Sequence, residues 1–402
     1  MHRYRGGLRR PISIGTLVIL CISCTALADD EDGFVSLFNG KDLAGWVNVN
    51  CAPSTFTVKD NQIITTGIPT GVLRTERQYE NFILELDWIH IVPGGNSGLF
   101  VWSDAITAPG QPFTRAFECQ ILDGHETPSS TSQGDVFAIH GSFFVPDRPH
   151  PAGWMRCLPS EARTKPAGQW NHYRVECNDG VLKLGINGKV VSGGSKSRPR
   201  KGYICLEAEG SECHFKNLRI KELPSTNPKP EEIARTDEGF KSLYSGVDLS
   251  GWTGDLDHWS PKDWILNNDG KDAADKTLWS EKEYGDFQMI ADWRLPAGKS
   301  AILLRGSPKA TIELHSPAGA GSGTLSAIDA APKVKADNRA GQWNRFVVTM
   351  KKNRVTIELN GKTVIENAQI ASVADKGRIG LRAQGSAVQF GNIYVRELQQ
   401  AK

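Results

Sequence analysis

The sequence lacks the patterns that announce metal, nucleic-acid or membrane chemistry. It has no C-x-x-C spacing, no H-E-x-x-H and no calcium-loop pattern, so neither a zinc site nor an EF-hand is legible in it. Its 402 residues carry 47 Lys plus Arg against 45 Asp plus Glu, a net charge of +2 with no basic stripe, which excludes a nucleic-acid-binding field. Past residue 28 no apolar run approaches the roughly 18 residues that a membrane helix requires. No cysteine follows Cys213, and hardly any segment keeps a helical period, so long helices are not expected.

What is present begins with a leader. Arg3, Arg5, Arg9 and Arg10 precede an apolar run from Ile12 to Ile22, and Ala26-Leu27-Ala28 supplies small residues at cleavage spacing, the pattern of a secretory signal peptide over 1–28. Its removal takes four arginines and no acid, turning the charge of +2 into −2. A secreted or periplasmic protein is expected. Cys21 and Cys24 fall in the leader, while Cys51, Cys119, Cys157, Cys177, Cys205 and Cys213 would meet an oxidising compartment. Cys205 and Cys213 flank a turn centred near Glu209 and form the candidate disulfide, across a hairpin; buried free thiols are the alternative.

An internal repeat organises the rest. GFVSLFNGKDLAGW at 33–46 matches GFKSLYSGVDLSGW at 239–252, and YENFILELDW at 79–88 matches YGDFQMIADW at 284–293. AGQWNHYRV at 167–175 answers AGQWNRFVV at 340–348, and FKNLRIKEL at 215–223 answers FGNIYVREL at 390–398. Two tandem domains, 29–223 and 239–398, are therefore expected, joined by a Pro-rich, charged linker over 224–238. The first copy has 52 positions between Glu118 and Trp170, the second only 30 between Glu313 and Trp343. Long loops on rigid scaffolds concentrate function, which places the main site in the first copy.

Short alternating runs such as 82–88 and 355–359, with Asn187-Gly188 and Asn360-Gly361 as primed hairpin turns, predict an all-β fold of two antiparallel jelly-roll sandwiches. In AFECQILD, 116–123, Phe117, Cys119 and Ile121 share one face, leaving Glu118 and Gln120 on the other. A bulge would return Asp123 to the polar side. Asn96 stands at a Gly-rich turn entering another strand. In the second copy Glu313 stands opposite Glu118, His315 opposite Gln120, and Lys299 near the Asn96 position. Of the tryptophans, Trp46, Trp88, Trp170, Trp252, Trp293 and Trp343 recur in both copies as expected core. Trp102 and Trp154 have no aligned Trp and are candidate sugar platforms.

The opening GF-x-SLFNGKDLAGW, GGNSGLFV, FECQILD, KPAGQWNHY, the INGK hairpin and FKNLRIKEL together resemble the 3-keto-disaccharide hydrolase domain family. The resemblance covers 33–223 and, more weakly, 239–398. It implies a concanavalin A-like lectin/glucanase sandwich in an exported protein, acting on carbohydrate glycosides oxidised at C3, with a sugar 3-oxidoreductase as the functional partner that supplies the substrate. A C3 ketone acidifies the C2 proton, so a modest base can remove it and the leaving group departs by β-elimination; water then adds. Glu118 is the candidate base, Asp123 and His140 candidates for the second acid/base function, and Asn96, Gln120 and His125 candidate substrate contacts. Where the family commonly reads L-Q-x-H-G this chain has LEAEG, 206–210, putting Glu207 and Glu209 at the substrate. His140 falls in DVFAIHGSFF, near a position where a Tyr is usual. No cofactor is called for, and a divalent metal could come only from carboxylates and histidines that meet in space. Two rivals stand beside this reading: a laminarinase-like glycosidase using Glu118 and Asp123, and a lectin-like carbohydrate-binding protein without catalysis.

Overall fold

The computed structural model is all-β: four antiparallel sheets in two halves, with no α-helix among the described residues. These are residues 2, 32–123, 133–271, 275–316, 321–328 and 330–399. The leader at 1–28, residue 2 apart, and the candidate contact His125 lie outside them. No helix among them is long and apolar enough to cross a membrane.

In the first half a nine-stranded sheet packs on a seven-stranded one. The strand Phe82–His90 shows why: Phe82, Leu84, Leu86 and Trp88 are at most 1% exposed and point inward. With Tyr173, Val175 and Leu184 they meet Leu99, Val101, Phe117, Cys119, Ile121 and Leu206 of the facing sheet in one core. Asn187 and Asn360 take φ of 45° and 50° and Gly188 and Gly361 follow at 87° and 76°, the paired left-handed conformation of the primed turns. The second half repeats the plan with an eight-stranded and a five-stranded sheet around its own core.

Three expectations change. The extra segment of the first copy is not simply a loop: Val136–Ile139 and Arg156–Cys157 extend the seven-stranded sheet, and Phe143–Pro146 extends the other. Cys205 and Cys213 do not face each other across a hairpin. Cys205 lies in the seven-stranded sheet and Cys213 opens a strand of the nine-stranded one, so the turn between them crosses from sheet to sheet. Both thiols are free and fully buried, as small hydrophobes. Finally, Trp46, Trp88, Trp252 and Trp293 are core, but Trp170 lies half-buried under the Lys216 ammonium, 3.8 Å from the ring centre, and Trp343 rests against Trp264.

The halves are joined by more than the segment between them. That segment is itself packed: Ala234 N–H donates to Lys201 O at 2.7 Å, and Ala105 N–H to Arg235 O at 2.9 Å. The 104–115 loop of the first half crosses onto the eight-stranded sheet of the second. There the fully buried Asp292 carboxylate accepts from Gly110 N–H at 2.7 Å, from Arg345 Nε at 2.6 Å and from Asn392 Nδ2 at 2.6 Å. Asn392 also donates to Gln111 O at 2.8 Å, Arg345 to Thr107 O at 3.2 Å, and Ile106 packs beside Phe240, Ile290 and Tyr394. Replacing Asp292 by Ala leaves the Arg345 cation buried without its carboxylate, a loss of about 3–5 kcal/mol. Urea unfolding should show that loss, with faster proteolysis of the 104–115 loop in the variant.

Candidate active site

The site is built on the outer face of the seven-stranded sheet. Because Phe117, Cys119 and Ile121 are in the core, the same strand, Ala116–Leu122, must present Glu118 and Gln120 outward. On the neighbouring strand, Asn96–Ser103, Phe100 stands opposite Glu118 and Gly98 opposite Gln120. On the other side Leu206 pairs with Leu99, which sets Glu207 beside Gly98. Gln120, Gly98 and Glu207 thus form one row across three strands. A Cβ on Gly98 would lie 2.6 Å from Glu207 Oε2 and 3.2 Å from Glu118 Cγ. Both acidic side chains therefore lean over the space that the missing side chain leaves, as a glycine in a strand interior allows.

This placement makes them a pair of unequal acids. Glu207 is 1% exposed and its Oε2 has no hydrogen-bond partner among the described residues. Burial, then the charges of Glu118 and Glu209, push its carboxyl well above the usual range. Glu118 is half-buried, opens to the outer face, and is pushed up to about 8 by burial, then by Glu209 and Asp135. Of the two, Glu207 is the more deeply buried and Glu118 the one that opens to the face.

The next row fixes the surroundings. Asn96 Nδ2 donates to Glu209, and Gln120 Nε2 donates to Asn96 Oδ1 at 2.7 Å and to Ser97 O at 3.1 Å. Ser211 Oγ accepts from Asn96 N–H at 2.8 Å. With both amide hydrogens of Gln120 turned to the protein, it positions Asn96 and does not serve as a donor to sugar. Behind Glu118, Asp135 O accepts from Gln120 N–H at 2.9 Å, and the Asp135 carboxylate is ion-paired to Arg156, both almost wholly buried. Beside and beyond the two acids the face is apolar: Val72 pairs with Glu207, Val49 with Val72 and Phe100 with Glu118, and with Ala116 and Cys205 they pack against Phe113 and Ile139.

The remaining sequence candidates lie elsewhere. Asp123 follows the end of its strand, and its two oxygens accept from Gly94 N–H at 3.0 Å and Ala167 N–H at 3.1 Å, so it ties two loops together. His140 lies beyond Ile139 at the opposite end of the sheet face, where it lines the cleft between the halves with Arg115, Asp104 and Arg345. Trp102 is fully buried between the sheets, Nε1 bonded to Glu80 O at 2.7 Å, and offers no platform. Trp154 is 45% exposed and stacks on His150 at 4.4 Å, at the strand edge near Arg156. Among the described residues no three His, Cys, Asp or Glu side chains converge on a point that could hold a metal ion. Sequence reasoning missed Gly98 and Ser211; the signal for the first was a glycine inside a strand pattern.

The second half carries a different row. Ser300 Oγ donates to Arg382 O as Ser97 Oγ does to Glu207 O, so Lys299 stands at the position of Asn96, Ala301 at that of Gly98 and Arg382 at that of Glu207. Contrary to the sequence match of Glu313 with Glu118, Glu313 N–H donates to Thr324 O and Glu313 O accepts from Gly323 N–H, the bonds that Gln120 makes with Asp135 and Gly134; Glu313 thus answers Gln120, Thr311 stands where the first half has Glu118, and Gln384 answers Glu209. Glu313 accepts from Ser326 Oγ at 2.8 Å. The acid pair and the gap beneath it exist only in the first half.

A profile of the 3-keto-alpha-glucoside-1,2-lyase-like domain matches residues 33–221 and again 239–396. A 3-keto-disaccharide hydrolase of Bacteroides thetaiotaomicron is 23% identical over 245 residues, which cover 48% of this chain and 80% of that protein. A crystal structure from Parabacteroides distasonis, of a protein provisionally classed as a glycosyl hydrolase, is similar over 48% of this chain and 95% of its own, at 24% identity and a TM-score of 0.37. A carbohydrate-binding module from Bacillus subtilis is similar over 37% and 96%, at 18% identity and a TM-score of 0.30.

The raised Glu118 carboxyl has a consequence for stability. Above its ordinary value of 4.5 an unfolded Glu118 is ionised, while the folded chain keeps the proton up to about 8. The folded state binds more protons between these values, so its stability falls as pH rises through that window. Glu118→Gln removes the effect: relative to the variant, the wild type should lose urea resistance between about pH 5 and 8. A constant difference across that range would mean that Glu118 titrates as an ordinary carboxylate.

Proposed function

The chain belongs to the 3-keto-alpha-glucoside-1,2-lyase-like domain family, and from that membership we propose that its first half cleaves the glycosidic bond of 3-keto-glycosides by elimination, followed by addition of water. The observation that carries this reading is the Glu118 and Glu207 pair, two carboxyls that lean over the one gap at Gly98 and are both raised above the usual range, chiefly by burial.

Elimination needs a base at C2 and an acid at the leaving oxygen. The Glu118 carboxylate takes the C2 proton, and the C2–H electrons form the enolate with the C3 carbonyl. The enolate reforms the ketone as a C1–C2 double bond is made and the C1–O bond breaks, with the Glu207 carboxyl giving its proton to the departing oxygen. Glu118, now protonated, and Glu207, now ionised, are poised in reversed roles for water to add at C1 and C2. The apolar part of the face, at Phe100 and Val72, excludes water from one side and keeps both carboxyls protonated at higher pH than bulk water would. The leader supports export of the chain, and a sugar 3-oxidoreductase is the class of enzyme that must supply the ketone.

Three observations test the reading. A chromogenic 3-keto-glucoside should be cleaved and the unoxidised parent left intact, with and without chelator; release from the parent would transfer the case to an ordinary glycosidase. Glu118→Gln should reduce kcat by a factor on the order of 10² to 10⁴, the usual worth of a general base. Wild-type kcat/KM should rise with pH toward a plateau above about 8, as the base ionises; a fall over that range would contradict Glu118 as base.

A further inference from the structure

The second half touches the first at a second place, and that place adjoins the acid pair. Ala208 pairs with Gly71, so the row holding Asn96 and Glu209 runs on to Thr70. Thr70 N–H donates to Asp263 Oδ1 at 2.5 Å, and Asp263 belongs to the other half, at the turn between Trp259–Lys262 and Ile265–Asn268. The turn is held for the purpose. Asp263 is left-handed at φ 57°, and Tyr244 Oη donates to the carbonyls of Asp263 and Ile265, each at 3.1 Å.

The approach is close enough to depend on a glycine. A Cβ on Gly246, φ 85°, would lie 2.5 Å from the Pro69 ring and 3.3 Å from Asp263 O, so only a residue without a side chain lets this turn seat against the 67–70 segment. Asp263 is exposed, and its Oδ2 has no hydrogen bond among the described residues. Its charge also reaches the site, since after burial it is what raises the Glu209 carboxyl. The corresponding turn of the first half, Asp60 and Asn61, packs instead against Gly40 of its own half.

We infer that the Asp263 turn of the second half is a wall of the first half's sugar site and that Asp263 Oδ2 accepts hydrogen bonds from hydroxyls of the leaving-group sugar. The inference rests on the function proposed above for the first half. It gives the second copy, which lacks the acid pair, a role in substrate selection: leaving groups rich in hydroxyls gain a charge-assisted contact, and small alkyl leaving groups do not reach it.

The test compares a 3-keto-glucosyl-glucose disaccharide with the methyl 3-keto-glucoside of the same anomer, using the full chain. In the wild type, Asp263→Ala and Asp263→Asn, the quantity read is the ratio of KM for the disaccharide to KM for the methyl glycoside. Asp263→Ala should raise that ratio about tenfold, the worth of one hydrogen bond to a charged group. Asp263→Asn keeps an oxygen for Thr70 N–H, so the turn stays seated, and should raise it less; it also carries the test if the alanine variant does not fold. An unchanged ratio, or equal loss on both substrates, overturns the inference. Were neither compound turned over by the wild type, the proposed reaction would fail, and the same ratio taken from calorimetric Kd values would still decide the wall: selective weakening of the disaccharide supports it, and equal weakening, no weakening or no disaccharide binding to the wild type overturns it.

Discussion

Two carboxyl groups set side by side on a half-dry sheet face can coexist only if one keeps its proton, and the first half of this chain is arranged around that constraint. Gly98 makes the pair geometrically available, since any side chain there would occupy the space into which Glu118 and Glu207 lean. The apolar part of the face and the buried Asp135–Arg156 ion pair then set the environment. Asp135 adds negative potential at Glu118 while Arg156 neutralises Asp135 itself, so the acid pair is raised without a third unpaired buried charge. The neighbouring polar side chains, Asn96, Gln120, Glu209 and Ser211, are bonded to one another and to the backbone.

The second half shows the same sheet relieved of the constraint. With Thr311 in place of Glu118, Ala301 in place of Gly98 and Arg382 in place of Glu207, there is no gap and no acid pair. Identical pairing thus supports opposite chemistry, because the backbone fixes only which residues are neighbours. Three side chains decide whether the neighbours are an acid pair.

Association of the halves follows a similar rule. Asp292, Arg345 and Asn392 in the second half receive the backbone of the 104–115 loop, whereas the corresponding Asp87, His172 and Asn217 of the first half keep the mutual hydrogen bonds and remain open to solvent. Around them the apolar Ile290 and Tyr394 of the covered face become Glu85 and Arg219 on the open one, paired with each other. The loop able to reach across is also longer in the first half, 104–115 between its strands against 304–310 in the second. Interlocking in one direction fixes the order of the halves and seats the Asp263 turn beside Glu209.

By itself the sequence determined the duplication, the all-β class, the primed turns at Asn187-Gly188 and Asn360-Gly361, and the outward face of Glu118 and Gln120. These follow from local periodicity and turn chemistry, which act over a few residues. It also singled out Glu207 and Glu209, through their departure from a family pattern. The tertiary structure alone decided that Glu207 meets Glu118, because they lie 89 positions apart and are joined only through the pairing of both their strands with a third. For the same reason it alone could retire Asp123 to loop bonding, send His140 to the opposite end, bury Trp102, and separate Cys205 from Cys213 into different sheets. Period and spacing say which way a side chain faces; strand order, set by the cheapest burial of two apolar faces against each other, says what it faces beside.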